Sequence, residues 1–425
     1  MNRFQLVSLI VFGFFIVIGV AVFALGRVSN TETPAVATIW GTMSEDVFEN
    51  ALVESALSQD RSLSITYVQK NPSSFDQELL EALAAGRGPD LFFLQNDGII
   101  KHREKIFPIP YDSYPARNFV NNFSQVGEIF LVSDGVLALP MSVDPLVMYW
   151  NRDIFSNAGL ANPPRYWSEF YDLSNLLTKK DASLNVVASA APLGEFSNIA
   201  NSFDILGLLF MQAGSSIVQV GGDGILQSSL REPSLAAERA VTFFTEFANP
   251  LRPYYSWNRS LPNSKTFFLA GNLGVYFGFA SELTDLRLKN PNLDFDVTSV
   301  PQTKDAEKLL TISRVNGLAI SRSSPNIAGA YAVATRLSDW PFTQALAKNT
   351  NLPPVRRDLL STRPNQLYLS VFYNAAIQSR AWLVPDGATT PAIFKEMIES
   401  VTGGRSTAGE AVARANEMLT IQLGQ

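Results

Sequence analysis

LPMSVDPLVMYWNRDIFSNAGL, residues 139–160, decides how the rest of the chain is read. A short apolar strand over 135–139 meets Pro140, which predicts a turn. Apolar and aromatic residues then fill 146–150 as a second strand. Asn151 opens the next turn, and a short helix follows over 153–158 until Gly159 stops it. A strand that leaves one structural unit and enters another has this form, so the stretch reads as a crossover between two units.

Chain length agrees with that reading. At 425 residues the chain exceeds one ordinary domain and suits about two. Apolar residues make up 46% and aromatics 11%, enough for two cores. The net charge of -6 gives no overall attraction to nucleic acid, which is set aside as a partner. Cysteine is absent, so disulfides, thiolate metal sites, thiol catalysis and a lipid-modified N-terminal cysteine are excluded. The one histidine, His102, lies in the polar run KHREK and reads as a solvated loop residue.

Residues 6–26 form a 21-residue run without a charge, with Arg3 before it and Arg27 after it. A secretory apolar region spans roughly 7–15 residues and a membrane helix about 20, so length predicts one N-terminal transmembrane helix kept as an anchor. Ala24-Leu25-Gly26 also suits cleavage, and secretion after cleavage is the alternative. Either way residues from 31 onward lie outside the cytoplasm. The polar segment 28–34, VSNTETP, is a tether.

Beyond the tether, strands at 36–40 and 64–68 enclose a helix over 44–58 capped by Ser44. An amphipathic helix at 73–85 is then broken by GRGPD before a buried strand at 91–94. Alternating strands and helices argue for an α/β sheet, in which ligands lie beyond the carboxyl ends of strands. That places Trp40 and the Gln95-Asn96-Asp97 group at one cleft. GRGPD has no Lys-Ser or Lys-Thr after it and opens no helix, so a phosphate loop is not supported. Gly221-Gly222-Asp223-Gly224 carries a single carboxylate and reads as a turn, not a calcium loop. Further helices are expected at 167–177, 199–212, 234–248, 326–337, 367–380, 391–401 and 407–419, with strands at 295–300 and 317–320.

Several phrases carry a resemblance: the crossover stretch itself, ALAAGRGPDLFFL at 82–94, FFLAGNLGVYFGFASELTDLR at 267–287 and VTGGRSTAGEAVARANEML at 401–419. From residue 36 to the end the chain resembles the maltodextrin-binding-protein-like group of family 1 extracellular solute-binding proteins, the sugar-binding components of ABC transporters. The resemblance implies an α/β, two-lobed periplasmic-binding-protein-like fold of type II. One lobe would hold 35–139 with 300–338 and the other 140–299 with 339–425, with hinge crossings near 140, 300 and 338 and residues 1–34 as anchor and linker.

The function so implied is capture of a small polar ligand, a carbohydrate, by hinge closure and its delivery to ABC permease subunits. The chain would act as a monomer, with no catalytic residue, cofactor or metal. Sugars present apolar C–H faces and hydroxyl edges, so aromatic platforms beside hydrogen-bonding groups are the expected chemistry. By position the resemblance implies Trp40, Asn96, Asp97, Asp144, Phe203, Gly278, Phe279, Ser281 and Trp382 as ligand-binding. Glycine at 278 permits close approach of backbone to a ligand, and a helix starting near Ser281 would aim free N–H groups into the cleft. Leu94 and the Pro391-Ala392 pair stand where the group has aromatic platforms, so maltodextrin itself is not the implied ligand. The rival readings are an anchored receptor or adhesion protein without a transporter, and a glycoside-acting enzyme using Asp97 with Asp144.

Overall fold

The computed structural model describes residues 34–424 apart from 223, 234 and 363. The apolar run 6–26, expected to anchor the chain, lies outside the described residues. Among the described residues no helix is long and apolar enough to cross a membrane.

The first unit is β1 (Ala35–Gly41), α1 (Glu45–Glu54), β2 (Leu63–Gln69), α2 (Phe75–Ala84) and β3 (Leu91–Gln95). Ser44 takes the N-cap position of α1, but its side chain makes no capping bond. Gly86, at φ +66°, ends α2 as the sequence predicts. Next comes β4 (Ala138–Asn151), a strand that continues through Pro140 and Pro145 where a turn was expected. Proline cannot donate to a ladder, and the partner strand accommodates this with a register shift: Asn316 pairs with Ser142 and Gly317 with Pro140, leaving Met141 unpaired. At its far end Asn151 caps a short helix by accepting from the Ile154 N–H.

The chain continues through α3 (Ser202–Gln212), β5 (Val275–Phe279), α4 (Glu282–Lys289), β6 (Phe295–Thr298) and β7 (Thr311–Ile320). It ends in α5 (Trp340–Thr350), α6 (Leu367–Gln378), α7 (Thr390–Thr402) and α8 (Ala408–Gln422). The main sheet has the order β5-β4-β7-β3-β1-β2, with β6 also paired to β4. β1, β2 and β3 run parallel, whereas β7 is antiparallel to both β3 and β4.

Two hydrophobic cores lie along this one sheet. The first contains Phe48, Leu79, Phe92, Phe130, Val143, Val315 and Leu346; the second contains Leu146, Phe170, Phe210, Trp257, Phe277 and Phe394. The boundary therefore falls between Val143 and Leu146 on β4 and between Ile312 and Val315 on β7. Both strands are shared by the two lobes.

The expected crossings near 300 and 338 lie elsewhere. Val300 is buried in the second core, and the Gln302 amide donates to the Val300 and Leu310 carbonyls, so the chain stays in that lobe until β7. α5, expected in the second lobe, instead buries Phe342, Ala345 and Leu346 in the first. These residues occupy one helical face, and burying apolar side chains of this size contributes roughly 1.5–3 kcal/mol each. The third link is α6, which places Phe372 and Ala375 in the second core and Ala376 in the first.

Candidate functional site

The centre of the site follows from strand periodicity. On β7, Val315 is fully buried while its neighbours Arg314 and Asn316 turn to the other face, and on β4 Val143 is buried between Ser142 and Asp144. Register places Arg314 opposite Asp144 and Asn316 opposite Ser142. Cross-strand partners share a face, so the two crossing strands carry a polar strip where they pass between the lobes.

Three neighbouring elements complete it. From the start of α3, Asp204 accepts from Arg314 Nη2 at 3.1 Å. From the β5–α4 junction, the Ser281 backbone N–H donates to Asp144 Oδ1 at 3.0 Å and its hydroxyl to Oδ2 at 2.6 Å. From the end of β3, Asp97 is close enough to Arg314 and Asp204 to feel both charges. The Arg314 guanidinium also lies 3.8 Å from the ring centroid of Phe279.

This arrangement is short of positive charge. Burial pushes the Asp144 carboxyl up to about 6, with the Ser281 hydrogen bonds and Arg314 opposing it. Burial likewise raises Asp97 and Asp204, against the pull of Arg314 in both cases. Glu282 behaves differently: burial works to raise it, but bonds from Lys265, Tyr276 and the Phe279 N–H hold it below the usual carboxylate range. The Arg314 side chain is 39% exposed, so the group reaches water through the cleft.

Beside this centre is a recess of roughly 400 Å³, lined among others by Gln95, Asp97, Lys101, His102, Asn316 and Asp386. It joins the first lobe to the loop before α7. His102 is a buried residue, 4% exposed, where a solvated loop position was expected. Its ring meets Phe92 edge-on and its Nε2 bonds Asp76, which also holds Lys101. An apolar ring face against Phe92 and a carboxylate at the ring edge are what bury it.

The residues expected to bind ligand separate into groups. Asp144, Phe279 and Ser281 meet at the crossing, Asp144 bonded by Ser281 and Phe279 against Arg314, while Asp97 borders the adjoining recess. Asn96, 8% exposed, is occupied structurally: its Oδ1 accepts from the Val315 N–H and ties β3 to β7. Gly278 has a packing role, because a Cβ there would come within 2.5 Å of the Tyr276 ring and 3.1 Å of Tyr149. Phe203 and Trp382 form an aromatic cluster with Phe394, and Trp382 is only 4% exposed. Trp40 lies apart from the crossing, in a shallow groove with Glu78, Glu81 and Arg87, and Lys70 covers its ring at 3.8 Å. At the β5–α4 junction the Ser281 N–H donates to Asp144 and the Leu283 N–H to the Ala280 carbonyl, and just before it Phe279 donates to Glu282 and Ala280 to the Pro145 carbonyl.

Arg314, Asp204 and Glu282 escaped the sequence reading. A signal existed for the first: in TISRVNGLAI, residues 311–320, Arg314 and Asn316 flank apolar Val315 just before the apolar end of the run. That is the period of a strand with one working face.

Comparison with known proteins adds the following. A family model described as bacterial extracellular solute-binding protein matches residues 61–343. The chain is similar to the maltotriose-binding protein of Pyrococcus abyssi, 23% identical over 267 residues, a match that covers 62% of this chain and 53% of that protein. The chain thus spans about half the length of that curated relative. Among solved structures it is similar to a cyclo/maltodextrin-binding protein complexed with maltotetraose, at a TM-score of 0.74 and 15% identity, covering 93% of this chain and 99% of the other. It is also similar to a cyclic alpha-maltosyl-1,6-maltose binding protein from Arthrobacter globiformis, at 0.73 and 16%, covering 92% and 99%. At such identities the likeness is one of fold.

Proposed function

This chain belongs to the bacterial extracellular solute-binding protein family, and on that premise we propose that it captures a small polar ligand, a carbohydrate, between its two lobes for delivery to an ABC permease. One observation carries the reading: the polar strip of Ser142, Asp144, Arg314 and Asn316 lies on the strands that both lobes share, so a ligand bonded there is held where the lobes hinge. Closure of two rigid bodies about shared strands brings Asp97 from the first lobe and Asp204 from the second toward the same solute. Binding without chemical change is the proposed activity. The apolar run 6–26 supplies the membrane tether of this reading, which holds the lobes outside the cytoplasm.

The test is a thermal-shift screen of the full chain in mild detergent against mono- and oligosaccharides, polyols and non-sugar solutes. A ligand that binds only the folded state raises the melting temperature in a concentration-dependent way. Stabilisation by a sugar, abolished in Arg314→Met, is the expected result. Consumption of an added glycoside would instead make the protein an enzyme, and a shift by non-sugar solutes alone would overturn the carbohydrate reading. Mass measurement of the chain purified from membranes tests the tether, since cleavage would remove residues 6–26.

A further inference from the structure

We infer that Gly387 is the closure contact of the second lobe: it seats on the Asp97 side chain of the first lobe, and its lack of a side chain is what lets the two lobes meet there. This deepens the capture reading above, resting on its lobe closure but not on its choice of ligand.

The contact joins the lobes away from the strands they share. Asp97 lies between Leu94 and Ile99, both in the first core, and Gly387 between Val384 and Ile393, both in the second. A Cβ built on Gly387 would fall 2.9 Å from Asp97 Oδ2, 3.1 Å from its Cγ and 3.2 Å from its Cβ. A change of rotamer could swing the carboxylate aside, but the Asp97 Cβ is fixed by its backbone. A larger residue at 387 therefore pushes on the first lobe itself. Backbone conformation does not ask for glycine here, since Gly387 is not among the residues at positive φ. What the position demands is the close approach.

The loop that carries Gly387 is built as part of the second lobe. The Asp386 N–H donates to Thr390 Oγ1 at 3.1 Å, and Asp386 Oδ1 accepts from the Ala388 N–H at 2.7 Å. Thr390 Oγ1 in turn donates to Gln422 Oε1 at 2.9 Å, and the Gln422 amide donates to Thr389 Oγ1 at 3.0 Å, so α8 holds the loop in shape. Among the described residues no hydrogen bond or ion pair ties 385–389 to the first lobe. A preformed loop that meets its partner by packing alone can seat and part without unfolding either lobe, as rigid-body closure requires. Lys101 of the first lobe also feels the Asp386 charge, an attraction that acts across the gap as the lobes approach. Asp386, Gly387 and Ala388 line the recess together with Gln95, Asp97 and Lys101, so this contact brings its two walls together.

The chain has no cysteine, so introduced thiols report on the contact alone. The 3.2 Å between the Asp97 Cβ and a Cβ at 387 is slightly inside the span of about 3.5–4.5 Å found in disulfides. Full chain in mild detergent carrying Asp97→Cys with Gly387→Cys should cross-link on mild oxidation, read as a reducible change in gel mobility that neither single variant shows. A second measurement leaves both residues in place. Glu49→Cys on α1 and Glu417→Cys on α8, both exposed, carry spin labels for a dipolar distance measurement between the lobes. Without ligand, adding Gly387→Val should shift the distances to longer values, whereas Ala388→Val at the exposed neighbour should leave them unchanged. Failure of the pair to cross-link, an unchanged distribution in Gly387→Val, or an equal shift in Ala388→Val overturns the inference, and carbohydrate capture is then still decided by the sugar screen. If the cross-link and the shift are found but no sugar raises the melting temperature, the closure contact stands and the carbohydrate reading falls.

Discussion

Replacing Asp144 by asparagine should stabilise the protein at neutral pH. Asp144 bridges the shared strand β4 to Ser281 at the head of α4, and burial lifts its carboxyl from an ordinary 3.8 to about 6. The unfolded chain therefore ionises first, and between those values the native state binds the extra proton. Stability falls as pH rises through that window and stays reduced above it. Such a displacement corresponds to about 3 kcal/mol at most, and water entering the cleft reduces it to about 1–2 kcal/mol. Asparagine has nearly the same shape and its Oδ1 still accepts from the Ser281 N–H, but it cannot ionise. In a chain of 425 residues the melting temperature of Asp144→Asn should exceed that of the wild type by about 1–2 °C near pH 7.5. The difference should close near pH 4, where Asp144 is itself neutral. A pH series of thermal melts without ligand measures this. A variant that is less stable at neutral pH, or a difference that does not change with pH, would refute the argument that burial outweighs Ser281 and Arg314 at this carboxylate.

Two substitutions test the frame around the site. Gly317→Ala places a Cβ 2.7 Å from that of Ala138 and 2.9 Å from the Phe130 ring, at the register shift between β7 and β4. Overpacking there should cost about 1–3 kcal/mol, read from the denaturant midpoint. At the start of α8, Thr407 and Glu410 form a reciprocal capping box, with the Glu410 N–H donating to Thr407 Oγ1 and the Thr407 N–H to the Glu410 carboxylate. Thr407→Ala should lower stability by about 1 kcal/mol while leaving ligand affinity unchanged in a titration, since Thr407 does not line the recess.

Local signals in the sequence account for much of the architecture. The βαβ start, the glycine stop of α2, the Asn151 cap and the terminal helix pair all rest on residues that act on their immediate neighbours. The crossings were harder because they depend on partners far along the chain. Pro140 looks like a turn until β7 is known to shift its register opposite it. α5 reads as part of the second lobe until Phe342 and Leu346 are seen in the first core. For the candidate site, a strand end points to Asp97 and a helix start to Ser281, whereas Asp144 follows only from the resemblance. The packing of Trp40 and Trp382 is not legible in the sequence, because a large aromatic carries the same letter whether its face is open, stacked on Phe394 or covered by Lys70. His102 was misread for a related reason: the flanking charges of KHREK hide a ring that turns inward to Phe92 and Asp76.

The place of β7 in the sheet governs the order in which the molecule can be completed. It lies between β3 and β4, but it is synthesised only after most of the second lobe. Until then β3 and β4 each present an open edge in the middle of the first lobe, with the Asn96 amide still lacking the Val315 N–H. The first lobe is thus N-terminal in sequence and late in assembly, and its long-range pairing favours slow closure. An emerging chain has unpaired strand edges exposed for most of its translation, so passage across a membrane before folding, followed by insertion of β7 as a last central stave, is the route that this topology suits.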